Sequence, residues 1–248
     1  MFGLLGMNAR NLIYTRKYNN KKAFGLSKDK AKTKKFLASR GIAVPKIYAH
    51  IKEFNDLKQI DIQSLPSEFV IKPNLGSGGE GIMLVHKNKK KFENHRGQRI
   101  SSQQIHDHIL DILDGRYSTT NMPDSVIIEQ MVHNHESIDD MCYKGVADIR
   151  IIVFNYVPVM AMLRIPTQAS EGKANLHLGG AGLGIDIATG TITHVMYQNR
   201  IVRNIPGTQI NPRGRKLPHW DKTLEIASKT QVVSGLGFLG CDVVLDQE

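Results

Sequence analysis

Apolar residues along this chain gather in short runs bounded by glycine, proline and polar clusters, and only a few stretches carry a helical period. Residues 28–39 are one of these: Ser27 stands as N-cap, Gly41 closes the pattern and Pro45 follows. Within it Lys30, Lys34 and Leu37 share a stripe at i, i+4, i+7, which sets Lys30 on or beside the inward face. Further helices are expected over 53–60, over 102–113 behind Ser101 with Ile105, Ile109 and Ile112 along one side, and over 223–234. Strand-like runs cover 69–72 between Pro66 and Pro73, then 82–85, 126–131 and 240–245. Residues 149–154 and 158–165 flank Asn155-Tyr156, and 183–187 and 191–196 flank Ala188-Thr189-Gly190, so both pairs read as hairpins. The basic run 86–91 reads as a solvated turn. Strands outnumber helices and pair locally, which predicts an α+β chain with antiparallel-rich sheets rather than a doubly wound parallel one. A boundary between two lobes is expected near residue 125, before the apolar run 126–131.

The 248 residues are 41% hydrophobic and 23% charged, a composition that folds without a disulfide or metal staple. Cys142 and Cys241 form no disulfide framework and no CxxC site, which places the chain in the cytoplasm. The longest apolar stretch, 151–163, is broken by Asn155 and Pro158, so membrane insertion is not expected, and the N-terminus lacks the long apolar core of a signal peptide. Charge changes the picture more. The formal net charge is +10, and from Arg10 to Arg40 eleven bases face one acid, Asp29. Residues 1–26 form a basic leader with short apolar pieces (Leu4, Leu5, Leu12, Ile13). Such asymmetry implies a phosphate-bearing or acidic partner. Nucleic acid is disfavoured, because the only aromatic platforms nearby are Tyr14, Tyr18 and Phe24. The pairs His106/His108 and His133/His135 lack a third ligand at useful spacing and read as solvent-facing or loop histidines.

Gly76-Ser77-Gly78-Gly79-Glu80-Gly81 fits G-x-G-x-x-G, but a strand follows it, whereas a dinucleotide loop opens a helix. No Gly-Lys-Ser/Thr occurs, and Lys72 precedes the glycines, unlike the strand lysine of a protein kinase. What remains is strand, lysine, glycine-rich hairpin tip, strand. That unit is either a plain flexible turn or a hairpin folded over a polyphosphate through backbone N–H groups. A phosphate would account for Lys72 at the end of a buried strand.

FVIKPNLGSGGEGIMLV resembles the phosphate-loop region of the ATP-grasp superfamily, and SKDKAKTKKFLASRGIAVPKIY resembles the helix carrying that family's first ATP lysine. The resemblance covers roughly residues 27–248 and is nearest to the glutamate-ligase-like branch, while NARNLIYTRKYN is similar to the leader of the sugar-transfer-associated ATP-grasp proteins. It implies an ATP-grasp fold: a first lobe at 27–124 and a second at 125–248, clamping a nucleotide between them. By the same resemblance Lys30, Lys72, Gly76, Ser77, Gly78, Gly79 and Gly81 contact phosphates. VIIEQMV is similar to the hinge that reads adenine through backbone groups, here Glu129, Gln130, Met131 and Val132, with Glu136 on the ribose. VADIRIIVFNYVPVMAMLRI resembles the Asp-x-Arg strand and its hairpin, which gives Arg150 and Arg164 catalytic roles beside the γ-phosphate. KANLHLGGAG and GFLGCDVV are similar to the metal loops, making Asn175 and Asp242 ligands of magnesium or manganese. Asp242 in its apolar strand also suits a structural pair with Arg or Lys.

The implied cofactors are ATP and magnesium. The implied reaction is ATP-dependent carboxylate–amine ligation through an acyl phosphate, on a small-molecule or peptide carboxylate and an amine such as an amino acid. The family's Glu-x-Asn metal motif belongs one strand after Asp242, and the sequence stops at Gln247-Glu248. The expectation is therefore a second lobe lacking its last strand, and, as the alternative function, a catalytically impaired ATP-binding module that senses or scaffolds.

Overall fold

The computed structural model describes residues 6–76, 78–89, 91–94, 97–118 and 122–247. The first described elements are helical turns α1 (Met7–Ala9) and α2 (Arg16–Tyr18), joined by a π-helical stretch Arg10–Thr15, and then α3 (Lys21–Lys28). Next come α4 (Lys30–Ala38), β1 (Ile47–Ile51), α5 (Phe54–Lys58), β2 (Glu68–Pro73) and β3 (Met83–Asn88). They are followed by β4 (Lys91–Asn94), β5 (Arg99–Ile100), α6 (Ser102–Leu113) and β6 (Val126–Gln130). The rest carries α7 (Glu136–Asp139), β7 (Asp148–Phe154), β8 (Val157–Ile165), β9 (Ala181–Ile185) and β10 (Ile192–Tyr197). It ends with β11 (Arg200–Val202), α8 (Trp220–Ser234) and β12 (Phe238–Val243). Two units result: Lys28–Val132, and the residues up to Ser27 together with those from His133 onward.

The Lys28–Val132 unit is built on an antiparallel sheet in the order β1-β6-β2-β3-β4-β5. Strand β6 is hydrogen-bonded between β1 and β2, so the division falls after Val132 rather than near residue 125. A continuous apolar run identifies a buried strand but not its sheet, which is why the sequence placed it on the wrong side. Along β2 burial alternates: Phe69, Ile71 and Pro73 face the core, and Glu68, Val70 and Lys72 face the other way. Helix α6 covers the core face with Ile105, Ile109 and Ile112, each fully buried, behind a capping box between Ser101 and Gln104. Helix α4 is capped by Asp29, whose carboxylate accepts from Lys32 N at 2.9 Å, whereas Ser27 lies inside α3. The expected turn at 86–91 is narrower: β3 runs to Asn88, which pairs with Lys91.

The other unit carries an antiparallel sheet in the order β11-β10-β9-β8-β7-β12. Its core joins Ile149, Ile151 and Val153 of β7, Leu163 and Ile165 of β8, and Ala227 of α8. Asn155 and Tyr156 both take positive φ (45° and 71°), the backbone a two-residue hairpin needs. The basic leader belongs to this unit. Tyr14 and Tyr18 set their rings against Phe154 at 5.5 and 4.9 Å, and Tyr14 lies 5.6 Å from Phe238. Asn19 completes the attachment: its side chain donates to Phe238 O (2.8 Å) and accepts from Phe238 N (2.9 Å).

Candidate functional site

The glycine hairpin rises from a rigid base. Asn74, buried, accepts from Ala31 N at 2.8 Å and donates to Asp29 Oδ1 at 3.1 Å. Asp124 accepts from Leu75 N through both carboxylate oxygens, at 3.0 and 2.8 Å. Lys30 donates to the carbonyls of Pro73 (3.3 Å), Asn74 (2.9 Å) and Gly76. Its ammonium is thus spent on the loop's own backbone, and burial, with the neighbouring Lys72 charge, lowers its pKa. On the far side of the loop His108 Nε2 donates to Gly81 O at 2.9 Å. His108 is therefore half-buried against Tyr117, not solvent-facing as expected; the helical repeat of α6 turns it toward the loop. Gly81 has φ +70°, and a Cβ there would meet Tyr117 Cγ at 2.7 Å, so only glycine fits. Gly78 and Gly79 also have positive φ; Ser77 lies outside the described residues.

Beside this loop, on the sheet face opposite the core, three charged side chains converge. Lys72 of β2 and Glu129 of β6 sit diagonally on that face, and Lys72 Nζ lies 2.5 Å from Glu129 Oε1. Lys34, one turn beyond Lys30 on α4, brings its Nζ to 2.7 Å from Glu129 Oε2. Burial, together with the Lys72 charge, pushes the Lys34 ammonium down to about 8, against the pull of Glu129. Two lysines share one buried carboxylate. Lys34 is the member of this cluster that sequence reasoning did not single out as a site residue; its signal was the stripe it shares with Lys30. Glu129, expected to act through its backbone, is committed by its side chain here.

Of the other hinge residues, Gln130 is tied to β1's approach. Its N–H donates to Lys46 O at 2.8 Å and its carboxamide accepts from Lys46 N at 3.2 Å. Met131 and Val132 lie past the end of β6 and are half-buried. Glu136, exposed, opens α7 in the other unit.

The second unit carries its own charged cluster, again on the face away from the core. Arg164 of β8 pairs with Asp148 of β7 in register, at 2.6 and 2.7 Å. Asp242 of β12 lies opposite Arg150 and accepts from its Nε and, at 2.8 Å, its Nη2; Arg164 Nη2 is 2.9 Å from Asp242 Oδ2. Burial pushes the Asp148 carboxyl up, with Arg164 opposing. Burial alone would lower Arg164, but its bonds to Asp148 and Asp242 hold its pKa above the usual value. Arg150, Arg164 and Asp242 are thus brought together with Asp148 as ion-paired strand residues. Asn175 is engaged on its own turn, accepting from His177 N at 2.9 Å.

These residues suit a polyphosphate better than a metal. Lys34, Lys72 and a glycine hairpin supply cations and close backbone approach. The proposed metal ligands do not: the Asp242 carboxylate is filled by two guanidinium groups, the Asn175 amide caps a turn, and no cluster of three His, Cys, Asp or Glu suited to a cation occurs among the described residues.

An α+β protein of the ATP-grasp type is the class to which the two antiparallel sheets and the glycine hairpin point. Residues 9–248 match the family described as sugar-transfer associated ATP-grasp, and the chain belongs to that family. No curated protein matches the sequence. Among solved structures the chain is similar to a D-alanine–D-alanine ligase from Bacillus anthracis complexed with ATP, at 12% identity and TM-score 0.49, covering 92% of this chain and 56% of that one. It is also similar to an L-amino acid ligase from Bacillus licheniformis (10%, TM-score 0.49, 96% and 46%). A third is the ATP-grasp ligase PsnB complexed with a minimal precursor (12%, TM-score 0.43, 92% and 51%). The chain spans about half the length of these structures.

Proposed function

We propose that this protein is an ATP-dependent carboxylate–amine ligase of the glutamate-ligase-like kind. The observation that carries the reading is the Lys34–Glu129–Lys72 cluster beside the pinned glycine hairpin, in a chain of the ATP-grasp family. A bound triphosphate would draw both ammonium groups from Glu129 toward its oxygens. The loop N–H groups of Gly78, Gly79 and Gly81 would orient the phosphates, and Met131 and Val132 would read the adenine edge. A substrate carboxylate oxygen attacks the γ-phosphorus and the bond to the bridging oxygen breaks, giving an acyl phosphate and ADP. An amine then attacks the acyl carbon, loses a proton and expels phosphate. Magnesium has no step in this scheme, because the described residues do not assemble a site for it.

The test is isothermal calorimetry with ATP followed by phosphate release in the presence of amino-acid and peptide carboxylates and amines. ATP binding with carboxylate-dependent release is expected, and absence of ATP binding overturns the reading. The salt-bridged state of Asp242 favours a second reading, an ATP-binding module without turnover. Under it ATP binds, EDTA leaves the affinity nearly unchanged, and no mixture of carboxylate and amine releases phosphate.

A further inference from the structure

The segment before α4 has a solvent face that the core of its unit does not use. Its inward side is Tyr14 and Tyr18, packed on Phe154. Outward, Met7, Leu12 and Ile13 are 71%, 59% and 56% exposed. Neighbouring large aliphatic side chains left open to water mark an interaction surface. Tyr156 and Val157, at the β7–β8 turn just beyond Phe154, on which the leader packs, are 61% and 58% exposed as well. Between residues 6 and 27 the chain has five bases, Arg10, Arg16, Lys17, Lys21 and Lys22, and no acid. All five are exposed, and among the described residues none has a carboxylate partner. Lys30 and Lys34 do not belong to this surface, since both are half-buried and engaged in the other unit.

We infer that this leader is a contact surface for an anionic phospholipid bilayer. Leu12 and Ile13 enter the boundary between headgroups and acyl chains, and the five bases lie against lipid phosphates and carboxylates. Short amphipathic helices rich in Lys and Arg bind membrane interfaces in this way without crossing them. The cations add attraction to the negative surface potential, which salt screens within about 10 Å. No helix among the described residues is long and apolar enough to span a membrane, and the attachment inferred is a peripheral one. Bare cations would serve a nucleic acid equally well, but phosphate-backbone contacts gain nothing from exposed leucine and isoleucine. The inference is independent of the nucleotide site.

Sedimentation of the full chain with phosphatidylcholine vesicles, with and without phosphatidylserine, tests it. Binding is expected only with phosphatidylserine and should weaken steeply as salt rises. The double variant Arg16→Glu/Lys17→Glu should lose binding by roughly ten- to a hundredfold. Leu12→Ser/Ile13→Ser should weaken it several-fold while leaving the salt dependence intact. Both variants change exposed side chains, and circular dichroism should show the fold kept. Failure to sediment with phosphatidylserine overturns the inference. So does equal binding by wild type and Leu12→Ser/Ile13→Ser, or tighter binding to duplex DNA that ignores the serine pair. A dimer in analytical ultracentrifugation that the serine pair dissolves, without vesicle binding, would assign the surface to a second copy of this chain.

Discussion

Lys30 and Lys34 lie one helical turn apart on α4, yet their ammonium groups have different work. Lys30 is held by three backbone carbonyls of the loop base, and Lys34 shares Glu129 with Lys72. Charge-assisted hydrogen bonds to a ligand contribute about 1.5–3 kcal/mol each, so Lys34→Ala and Lys72→Ala should each weaken ATP binding by roughly 10–100-fold. Lys91→Ala, on an exposed position of β4, should leave the affinity unchanged; equal losses at all three would place the nucleotide elsewhere. Lys30→Met should instead lower the thermal midpoint and weaken ATP indirectly, by releasing the loop. The depressed pKa of Lys34 supplies a further test. Folded near 8 and unfolded near 10.5, it binds fewer protons in the folded state between those values. Stability of the free protein therefore rises with pH across that window, while ATP affinity falls as the ammonium is lost. Calorimetry from pH 7 to 9.5 should show the fall in wild type and not in Lys34→Arg, whose guanidinium stays charged. A flat wild-type profile removes Lys34 from the phosphate set.

At the scale of elements, α6 and the leader were read in opposite ways and with unequal success. The α6 bounds, its Ser101 cap and its three buried isoleucines were all legible, because a capping box and a 3.6-residue period are local signals. That His108 would reach Gly81 was not, because it depends on where β3 begins relative to α6. Burial lowers the His108 pKa from 6.5, so the unfolded chain binds the proton more readily. Its contribution to stability is complete at neutral pH and is lost as pH falls below about 6.5. Urea unfolding at pH 7.5 and pH 5.5 should show a drop in stability that His108→Gln reduces; an identical drop in the variant would assign it to other groups. The leader, basic and carrying only short apolar pieces, offered no clear element in sequence, but Tyr14, Tyr18 and Asn19 bind it to β12 and the β7–β8 hairpin. Tyr18→Ala removes two ring contacts and should cost about 1–3 kcal/mol. An unchanged unfolding midpoint would mean that the leader is not docked in solution.

For the whole molecule, each unit presents one sheet face to its own hydrophobic core and a charged cluster on the other face. The two cores are separate sets of residues. If ATP is held by α4, the glycine hairpin and the strand end at Met131, amide exchange should slow on ATP addition over 30–38, 69–85 and 126–132. A ligand at a hundred times its Kd stabilises the state it binds by about 2.7 kcal/mol, enough to read as protection. Protection confined to residues after 133 would contradict the assignment of the lysines.

What the chain's own pattern determined was the type of most elements after residue 27 and which nucleotide loops the glycine hairpin is not. Hairpins declared themselves through Asn155-Tyr156 and Gly190, and the order strand, lysine, glycines, strand excluded the commoner nucleotide loops, because these are relations between neighbours in sequence. Sheet membership of β6, the sharing of Glu129 by Lys34 and Lys72, and the capture of Asp242 by two arginines came only with tertiary structure. Each joins residues far apart along the chain, and a charged side chain reads the same in sequence whether it awaits a ligand or already has a partner. Asp242 is the plainest case: its apolar strand raised the expectation of a buried, compensated carboxylate, whereas the side chain is 42% exposed, and only the register of β12 on β7 and the reach of Arg164 from β8 show that two arginines hold it.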